Sequence, residues 1–284
     1  MNRPYIGIVG ITSMFDAIWT AKMVQRVLCK TGYPLHAPQI GVQVSERSLR
    51  GEKNQNRRLP AIEEIYGIFD NALHYHKEIF TVIHFSPKNF LDLESSIDKI
   101  FEKMGGYDPK NVRGLQLNKV LTKITPDQLA RIRENYPQLK IIVQMHKEFL
   151  TDFPISVMMH SFSKIEPYGD YFLIDASGGT GTPMNPRLAS FVAKNMLDFC
   201  SASKLGFAGG LNGKTVAKSL TEIKRRMGAK MDGIRFSIDA EGGLRDRLGE
   251  GYGNDKYNRK KAEAYFTNAV KTFQEIVQKQ KARL

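Results

Sequence analysis

The residues best suited to chemistry follow one apolar segment near the middle of the chain. Residues 171–174 are apolar, and the segment ends at Asp175. Such a segment is typical of a buried parallel strand that delivers a side chain to a ligand. Four residues then form a small-residue turn: Gly178, Gly179, Thr180 and Gly181.

This turn has two interpretations. Glycine has no Cβ, so backbone N–H groups in the turn can approach an anion such as phosphate closely. Alternatively, the glycines only turn the chain and Asp175 caps the next helix. Short glycine motifs are common, so the turn alone leaves both interpretations open.

The elements that would position these residues alternate regularly along the chain. Period-two apolar segments predict strands, and period-3.6 segments predict helices. Strands are predicted over 5–10, 38–44, 79–85, 112–118, 139–145, a segment ending at 175, 205–208 and 233–238. Helices are predicted from 12 or 13 to 28, over 61–74 and 90–104, from 125 onward, and over 149–164, 186–200, 213–227 and 256–281.

Eight strands, each followed by a helix, predict a closed parallel (β/α)8 barrel, the TIM barrel. The alternative is a doubly wound open sheet, because a strand count from sequence is uncertain by one or two. No linker or shift in composition divides the chain, so residues 1–284 are predicted to form one domain. One barrel needs ~250 residues, which agrees with this length.

The composition limits the classes of function. The chain is 42% hydrophobic and 25% charged, as in soluble globular proteins, and no apolar stretch approaches the ~18 residues of a membrane span. No signal peptide is recognised, so a cytoplasmic protein without membrane association is expected. Cys29 and Cys200 lie in predicted helices without metal-binding spacing. They are expected to be reduced, and no metal site is predicted.

The net charge of +13 suits anionic ligands, and by itself it equally suits RNA or anionic lipid. The basic residues are scattered, apart from Arg57-Arg58, residues 224–226 and the last helix. This distribution favours a solvated surface over a nucleic-acid interface. A polar loop of about fifteen residues after the second strand also carries Arg50, and loops of this length are usually functional or mobile.

In a parallel barrel the chemistry lies at the carboxyl ends of the strands. His84 and His146 end the third and fifth strands, and each could act as a base near neutral pH or simply bond to backbone or water. Asp239 could bind a sugar hydroxyl or cap its loop. Glycine pairs follow the last two strands, where barrels often bind phosphate: Gly209 and Gly210, then Gly242 and Gly243.

Several motifs together resemble phosphoribosylanthranilate isomerase, a (β/α)8 enzyme of tryptophan biosynthesis. They occur in order over almost the whole chain: Ile8-Val9-Gly10-Ile11-Thr12, Ser48-Leu49-Arg50, Gly114-Leu115-Gln116-Leu117 and the three glycine turns. The resemblance implies an Amadori rearrangement of an N-phosphoribosyl anthranilate to a 1-deoxyribulose phosphate. It implies no metal or organic cofactor.

The resemblance also implies roles for individual residues. Asp175 matches the general acid that protonates the ribose ring oxygen. Arg50 matches the arginine that faces the anthranilate carboxylate, although Leu49 stands where the family usually has proline and a solvated loop cation is the alternative. The remaining matches are substrate contacts, with the glycines offering backbone donors to the phosphate: Gln116, Gly178, Gly179, Thr180, Gly181, Gly209, Gly210, Gly242 and Gly243.

Two positions depart from the family pattern. Val9 stands where the family has its general base, a cysteine, and loss of a general base typically costs 10²–10⁴-fold in rate. Glu241 stands where the family has a small hydroxyl residue, and a carboxylate repels phosphate unless it is turned away, paired or protonated.

Three hypotheses follow. The first is an isomerase-like enzyme acting on a small phosphorylated sugar or aryl-amine conjugate, with Asp175 as acid and a base other than cysteine. The second is a non-catalytic barrel that binds a phosphosugar, which Val9 supports. The third is a protein that binds nucleic acid or a charged surface through its net charge. The first is favoured because the acid and the arginine accompany the glycine turns; the oligomeric state is not predicted.

Overall fold

Eight parallel strands close into a barrel in the computed structural model, which describes residues 3–52, 56–118, 123–175, 177, 183–228, 235–251 and 253–281. Each strand pairs with the next, and the eighth pairs with the first. The strands are β1 (Tyr5–Val9), β2 (Ala37–Ser45), β3 (Phe80–Ser86), β4 (Gly114–Leu117), β5 (Lys140–His146), β6 (Tyr171–Asp175), β7 (Leu205–Ala208) and β8 (Ser237–Ala240). The predicted closed barrel is therefore confirmed, and the open sheet is wrong.

Helices follow the strands and cover the outside of the barrel. They are α1 (Met14–Thr31), α2 (Glu46–Leu49), α3 (Ile65–Tyr75), α4 (Leu93–Lys103), α5 (Pro126–Asn135), α6 (Lys147–Asp152), α7 (Ile155–Ile165), α8 (Pro186–Met196), α9 (Val216–Met227) and α10 (Arg259–Lys281). Local sequence explains where some of them begin. Ser13 caps α1, and Thr125 caps α5 in a capping box with Gln128, with Pro126 in the first turn.

Three segments differ from the prediction. The polar loop expected after the second strand begins with the short helix α2, which Ser45 caps. The single helix expected over 149–164 is divided into α6 and α7, because Pro154 lacks the N–H that a continuous helix needs and instead precedes the first residue of α7. The polar loop expected after the eighth strand contains an antiparallel pair of short strands, β9 (Arg245–Arg247) and β10 (Asp255–Tyr257). A three-residue 3-10 turn, Gly242–Leu244, leads from β8 into this hairpin.

The amino-terminal half of the barrel interior is filled by aromatic and aliphatic side chains. Tyr5, Phe80 and Tyr171 contact one another with ring centroids 5.2 to 5.9 Å apart. Val82 and Ile142 belong to the same buried cluster. This packing closes one end of the barrel, so an interior cavity can open only at the carboxyl ends of the strands.

The carboxyl-terminal half of the interior holds large polar side chains beside glycines. A Cβ on Gly7 would lie 2.1 Å from both Asp239 Oδ1 and Gln39 Oε1. A Cβ on Gly41 would lie 2.6 Å from His84 Nε2. The polar groups therefore fit inside the barrel because the neighbouring strand positions carry no side chain.

Gly7→Ala should destabilise the barrel because the new methyl group would occupy the space of two buried oxygens. We expect a loss of about 1–3 kcal/mol in the free energy of unfolding, as for other overpacked interiors. Gly67→Ala is the control, since Gly67 lies in α3 and its Cβ would approach only the exposed side chain of Met14. Urea denaturation of both variants measures the difference, and equal stabilities would contradict the packing described.

Candidate active site

A cavity lies at the carboxyl ends of the strands, with about 540 Å³ of empty space that includes the part open to solvent. Most of the residues singled out from the sequence line it. They are His84, Gln116, Asp175, Gly209, Gly210, Asp239, Gly242 and Gly243. Val9 and Glu241, the two departures from the family pattern, line the same cavity.

Other predicted site residues are not brought to this cavity. Arg50 has a half-exposed side chain that bonds to Glu52 at 2.5 Å and pairs with Glu46 at 3.7 Å, and it is not among the lining residues. The expected contact between Arg50 and a substrate carboxylate is therefore unsupported. His146 is buried at the end of β5, opposite Asp175 in register, but it does not line the cavity. The turn of Gly178, Gly179, Thr180 and Gly181 lies outside the described residues.

Asp175 is held at the end of β6 by three hydrogen bonds. The backbone N–H and the hydroxyl of Ser177 donate to Oδ1 at 3.0 and 2.7 Å, and Gln144 Nε2 donates to Oδ2 at 2.9 Å. Asn185, not Asp175, caps the following helix α8, so the interpretation of Asp175 as a helix cap is wrong. A buried carboxyl with a fixed orientation in a cavity is suited to proton transfer.

The loops after β7 and β8 present backbone donors to the cavity. Gly209 and Gly210 have φ values of 120° and 60°, a conformation that favours glycine. Across the described parts of the chain, no acceptor bonds to the N–H groups of Gly209, Gly210, Leu211, Gly242 or Gly243. All five residues line the cavity, so their unbonded N–H groups are suited to an anion bound there.

The ends of β6, β7 and β8 converge closely at this wall. A Cβ on Gly209 would lie 2.9 Å from Ser177 Cβ. A Cβ on Gly243 would lie 2.2 Å from the carbonyl oxygen of Leu211. Glycine is therefore required at both positions for the three turns to pack against one another.

The carboxylate of Glu241 is paired with a cation. The repulsion of a phosphate that was expected from its position is therefore offset. Arg58 Nη1 donates to Oε1 at 2.5 Å and Gln43 Nε2 donates to Oε2 at 2.7 Å. Burial raises the pKa of Glu241, and the attraction of Arg58 opposes that shift. The charge of this carboxyl is thus balanced within the protein instead of being directed at the anion site.

Arg58 also belongs to a buried ionic network that the sequence did not reveal. Its guanidinium bonds to Asp255 on β10, and Arg245 on β9 bonds to the same carboxylate at 2.5 Å. Arg245 Nη1 further donates to the carbonyl oxygen of Gly10 at 2.6 Å. Burial opposes ionisation of Asp255, but hydrogen bonds from the two arginines lower its pKa. The network joins the loop after β2 to the β9–β10 hairpin and to the end of β1.

Asp239 and His84 are titratable groups in the cavity whose pKa values are strongly shifted. Burial raises the pKa of Asp239 well above its usual value, and the nearby charges of Glu241 and Asp175 raise it further. Burial lowers the pKa of His84 to about 3. Burial thus favours the protonated form of the Asp239 carboxyl and the uncharged form of the His84 ring. Two carboxyls in different environments within one cavity are typical of acid–base sites.

The charge of the cavity is distinctive in so basic a chain. The lining residues within the described ranges include Asp175, Asp239 and Glu241 but neither lysine nor arginine. In the same ranges, no group of three or more His, Cys, Asp or Glu side chains is placed to hold a metal ion. Polar contacts to a ligand would thus come mainly from amides and backbone N–H groups.

None of the described helices is long and apolar enough to cross a membrane.

Sequence reasoning missed several of the polar lining residues, among them Gln43 and Gln144. A signal for those on β2 does exist. Gln39, Gly41 and Gln43 alternate with Ile, Val and Val in one strand, and polar or small residues at every second position mark the inward face. Nothing comparable marks Arg58 and Asp255 as partners, since 197 positions separate them.

Comparison with known proteins supports the fold and leaves the reaction open. No protein-family model matches the chain, and no curated protein is significantly similar in sequence. Phosphoribosyl anthranilate isomerase from Thermus thermophilus superposes with a TM-score of 0.54 at 14% identity, covering 94% of this chain and 98% of that chain. Active domain 2 of a thermostable chitinase from Pyrococcus furiosus gives 0.55 at 13% identity, covering 96% and 94%.

A structure described as native KDPGal gives a TM-score of 0.51 at 13% identity, covering 97% of this chain and 96% of that chain. At these identities the likeness shows the TIM-barrel fold alone. The neighbours differ in their chemistry, so the fold does not choose among reactions.

Arg58→Met should destabilise the protein because it leaves Glu241 without its cation and Asp255 with only one. We expect a loss of about 3–5 kcal/mol, as when one partner of a buried ion pair is removed. Arg50→Met, which removes an exposed arginine, is the control and should change stability little.

The same pair of variants gives a test by pH. A carboxyl with a lowered pKa contributes stability that is present above its unfolded pKa, about 3.9 for Asp, and is lost as the pH falls through the folded value. The contribution of Asp255 should therefore shrink in Arg58→Met and persist in Arg50→Met. Denaturation measured across the acid range checks this, and identical acid dependence in both variants would count against the network.

Proposed function

We propose that this protein is a cofactor-independent acid–base isomerase that acts on a small phosphorylated sugar. The observation that carries the proposal is the set of five free N–H groups in the cavity wall beside the oriented carboxyl of Asp175. The N–H groups would hold the phosphate, and Asp175 would act on the sugar. The resemblance to phosphoribosylanthranilate isomerase supports the proposal, because it also implies phosphate contacts at the glycines and a catalytic role for Asp175, there as a general acid.

Backbone donors suit phosphate recognition in this cavity. Hydrogen bonds to a charged acceptor are worth more than those between neutral groups, about 1.5–3 kcal/mol. Several such bonds can hold a phosphate without a lysine or arginine at the wall. The side chain of Glu241, which would repel the phosphate, is paired with Arg58 and Gln43.

Amide and hydroxyl groups would bind the sugar portion. Gln116 lines the cavity, and its Nε2 donates to Asn118 at 2.9 Å, which holds the amide in place at the wall. An aryl-amine conjugate fits less well, because its carboxylate would need a cation and Arg50 is directed to Glu52. These contacts favour a phosphorylated sugar as the substrate.

Asp175 would move one proton between neighbouring carbons of the open-chain sugar. Its carboxylate first takes the proton from the carbon beside the carbonyl, and the electron pair of that C–H bond forms a carbon–carbon double bond. The carbonyl oxygen gains the negative charge and then the proton of the neighbouring hydroxyl. Asp175 finally returns its proton to the former carbonyl carbon, which leaves the new carbonyl on the adjacent carbon. No external oxidant or reductant is required.

A non-catalytic phosphosugar-binding barrel is the second candidate. The observation that favours it is Val9, an apolar residue in the cavity at the position where the resemblance has a catalytic cysteine. A binding protein would need the backbone donors but would not need Asp175.

Asp175→Asn should abolish turnover, because the amide cannot accept and return the proton. We expect turnover to fall by about 10²–10⁴-fold in an assay of aldose and ketose phosphates, the scale of general acid–base catalysis. Asp127→Asn, at the exposed start of α5, is the control and should retain activity. Saturable binding of the sugar phosphates with no turnover by the wild type would establish the binding-protein alternative.

Gly243→Ala should weaken phosphate binding, because its Cβ would press against the carbonyl oxygen of Leu211 and displace the two loops. Loss of one charged hydrogen bond corresponds to about 10–100-fold in affinity. Calorimetric titration with inorganic phosphate measures the effect, and Gly67→Ala in α3 is the control. Unchanged phosphate affinity in Gly243→Ala would place the anion elsewhere.

A further inference from the structure

Two hydrogen-bond acceptors face each other in the barrel interior beneath the cavity. Asp239 Oδ1 and Gln39 Oε1 both occupy the space beside Gly7, each 2.1 Å from where its Cβ would lie. Both oxygens are buried, and neither has a hydrogen-bond partner within the described residues. Two facing acceptors in a buried site repel each other unless a proton lies between them.

A proton on Asp239 satisfies both atoms. Burial, Glu241 and Asp175 all raise the pKa of Asp239, which favours the protonated carboxyl that can donate its O–H to Gln39 Oε1. The amide of Gln39 then directs its N–H toward His84, with Nε2 of each residue 3.1 Å apart. In this arrangement the three side chains form one chain of hydrogen bonds, with donors all pointing the same way.

The direction of this chain determines the tautomer of His84. Its Nε2 accepts from Gln39, so the single ring proton of the neutral imidazole is on Nδ1. His84 lines the cavity. Its Nδ1 has no hydrogen-bond partner in the described part of the chain, and this atom is not fully buried. The Nδ1–H group is therefore available to a ligand.

His84 also lies beside the position that lacks a catalytic base. His84 Nε2 and Val9 Cγ1 are 2.6 and 3.2 Å from the same point, where a Cβ on Gly41 would lie. The imidazole therefore fills the region next to Val9. Its low pKa makes it a weak base but leaves it a neutral donor.

We propose that His84 is a catalytic hydrogen-bond donor, held by Asp239 through Gln39 in the tautomer that presents Nδ1–H to the substrate oxygen. The inference rests on the proposed isomerase and assigns a second group to the same site. When Asp175 takes the proton from the substrate carbon, negative charge develops on the carbonyl oxygen. The Nδ1–H of His84 stabilises that charge without transferring its proton, as neutral imidazoles do in other isomerases.

The opposite arrangement makes a distinct prediction. If Asp239 were ionised, the amide of Gln39 would rotate, donate to Asp239 and accept from His84 Nε2–H. His84 would then present a bare Nδ1 to the cavity and act as a base. The two arrangements differ in the ring nitrogen that carries the proton, which is measurable without any substrate.

Nitrogen-15 NMR of the labelled full-length protein distinguishes the two tautomers. The spectrum of His84→Gln identifies the His84 signals by their loss. We expect His84 to be neutral with its proton on Nδ1 and not to titrate near neutral pH. An Nε2–H tautomer, or a charged imidazole near neutral pH, would overturn the inference.

Two variants test the roles of the partners. Asp239→Asn should retain the tautomer, because the asparagine N–H replaces the O–H that donates to Gln39. Gln39→Glu should shift the proton to Nε2 or charge the ring, because a carboxylate accepts where the amide donated. Gln138→Glu, an exposed change in the turn between α5 and β5, is the control and should leave the His84 signals unchanged. An unaltered tautomer in Gln39→Glu would contradict the positioning role, provided that circular dichroism confirms the fold.

Kinetics separate this inference from the proposed function. His84→Gln should lower kcat by about 10²–10³-fold, the cost of losing one oxyanion donor, with little change in KM. Turnover by the wild type with full kcat in His84→Gln would overturn the catalytic role of His84 and leave the isomerase standing. No turnover by the wild type, with the Nδ1–H tautomer present, would overturn the isomerase and with it the catalytic role.

Discussion

The interior of a closed eight-stranded barrel has a fixed width, so each large side chain that enters it must be matched by a small neighbour. In this protein Gly7 and Gly41 provide the space for Gln39, His84 and Asp239. The other half of the interior is filled by Tyr5, Phe80 and their neighbours, which keeps water away from the polar half on that side. The shifted pKa values of Asp239 and His84 follow from this placement.

A polar interior also needs charge balance at its rim. Three carboxyls face the cavity, and the two that lie in β8 and its loop differ in how they are accommodated. Glu241 is paired with Arg58, which also bonds to Asp255, whereas burial raises the pKa of Asp239 and favours its neutral form. Asp175 is oriented by hydrogen bonds alone. Each carboxyl therefore has a different local chemistry although all three share one cavity.

Much of the fold and part of the site could be predicted from the sequence. Alternating periodicities gave the barrel, and the local chemistry of Ser13 and Thr125 gave helix starts, because these signals lie within a few residues of their effects. The convergence of Asp175 with the glycines after β7 and β8 followed from strand order.

What could not be predicted depends on register and on distant pairing. Whether Gln39 faces the barrel interior or the helices depends on how the strands align, and its position between Asp239 and His84 needs the closed ring. The hairpin of β9 and β10 is too short for a periodic signal. Arg50 illustrates the converse: a loop cation matching a family motif bonds to its own neighbours, Glu46 and Glu52.

The network at the rim has a consequence for biosynthesis. Arg58 is synthesised 197 positions before its partner Asp255, and the strand that closes the ring, β8, is also made long after β1. Until then, the nascent chain carries an unmatched guanidinium and an open sheet edge on β1. Contacts of such long sequence separation slow folding, so the site is completed only after the β9–β10 hairpin has been made.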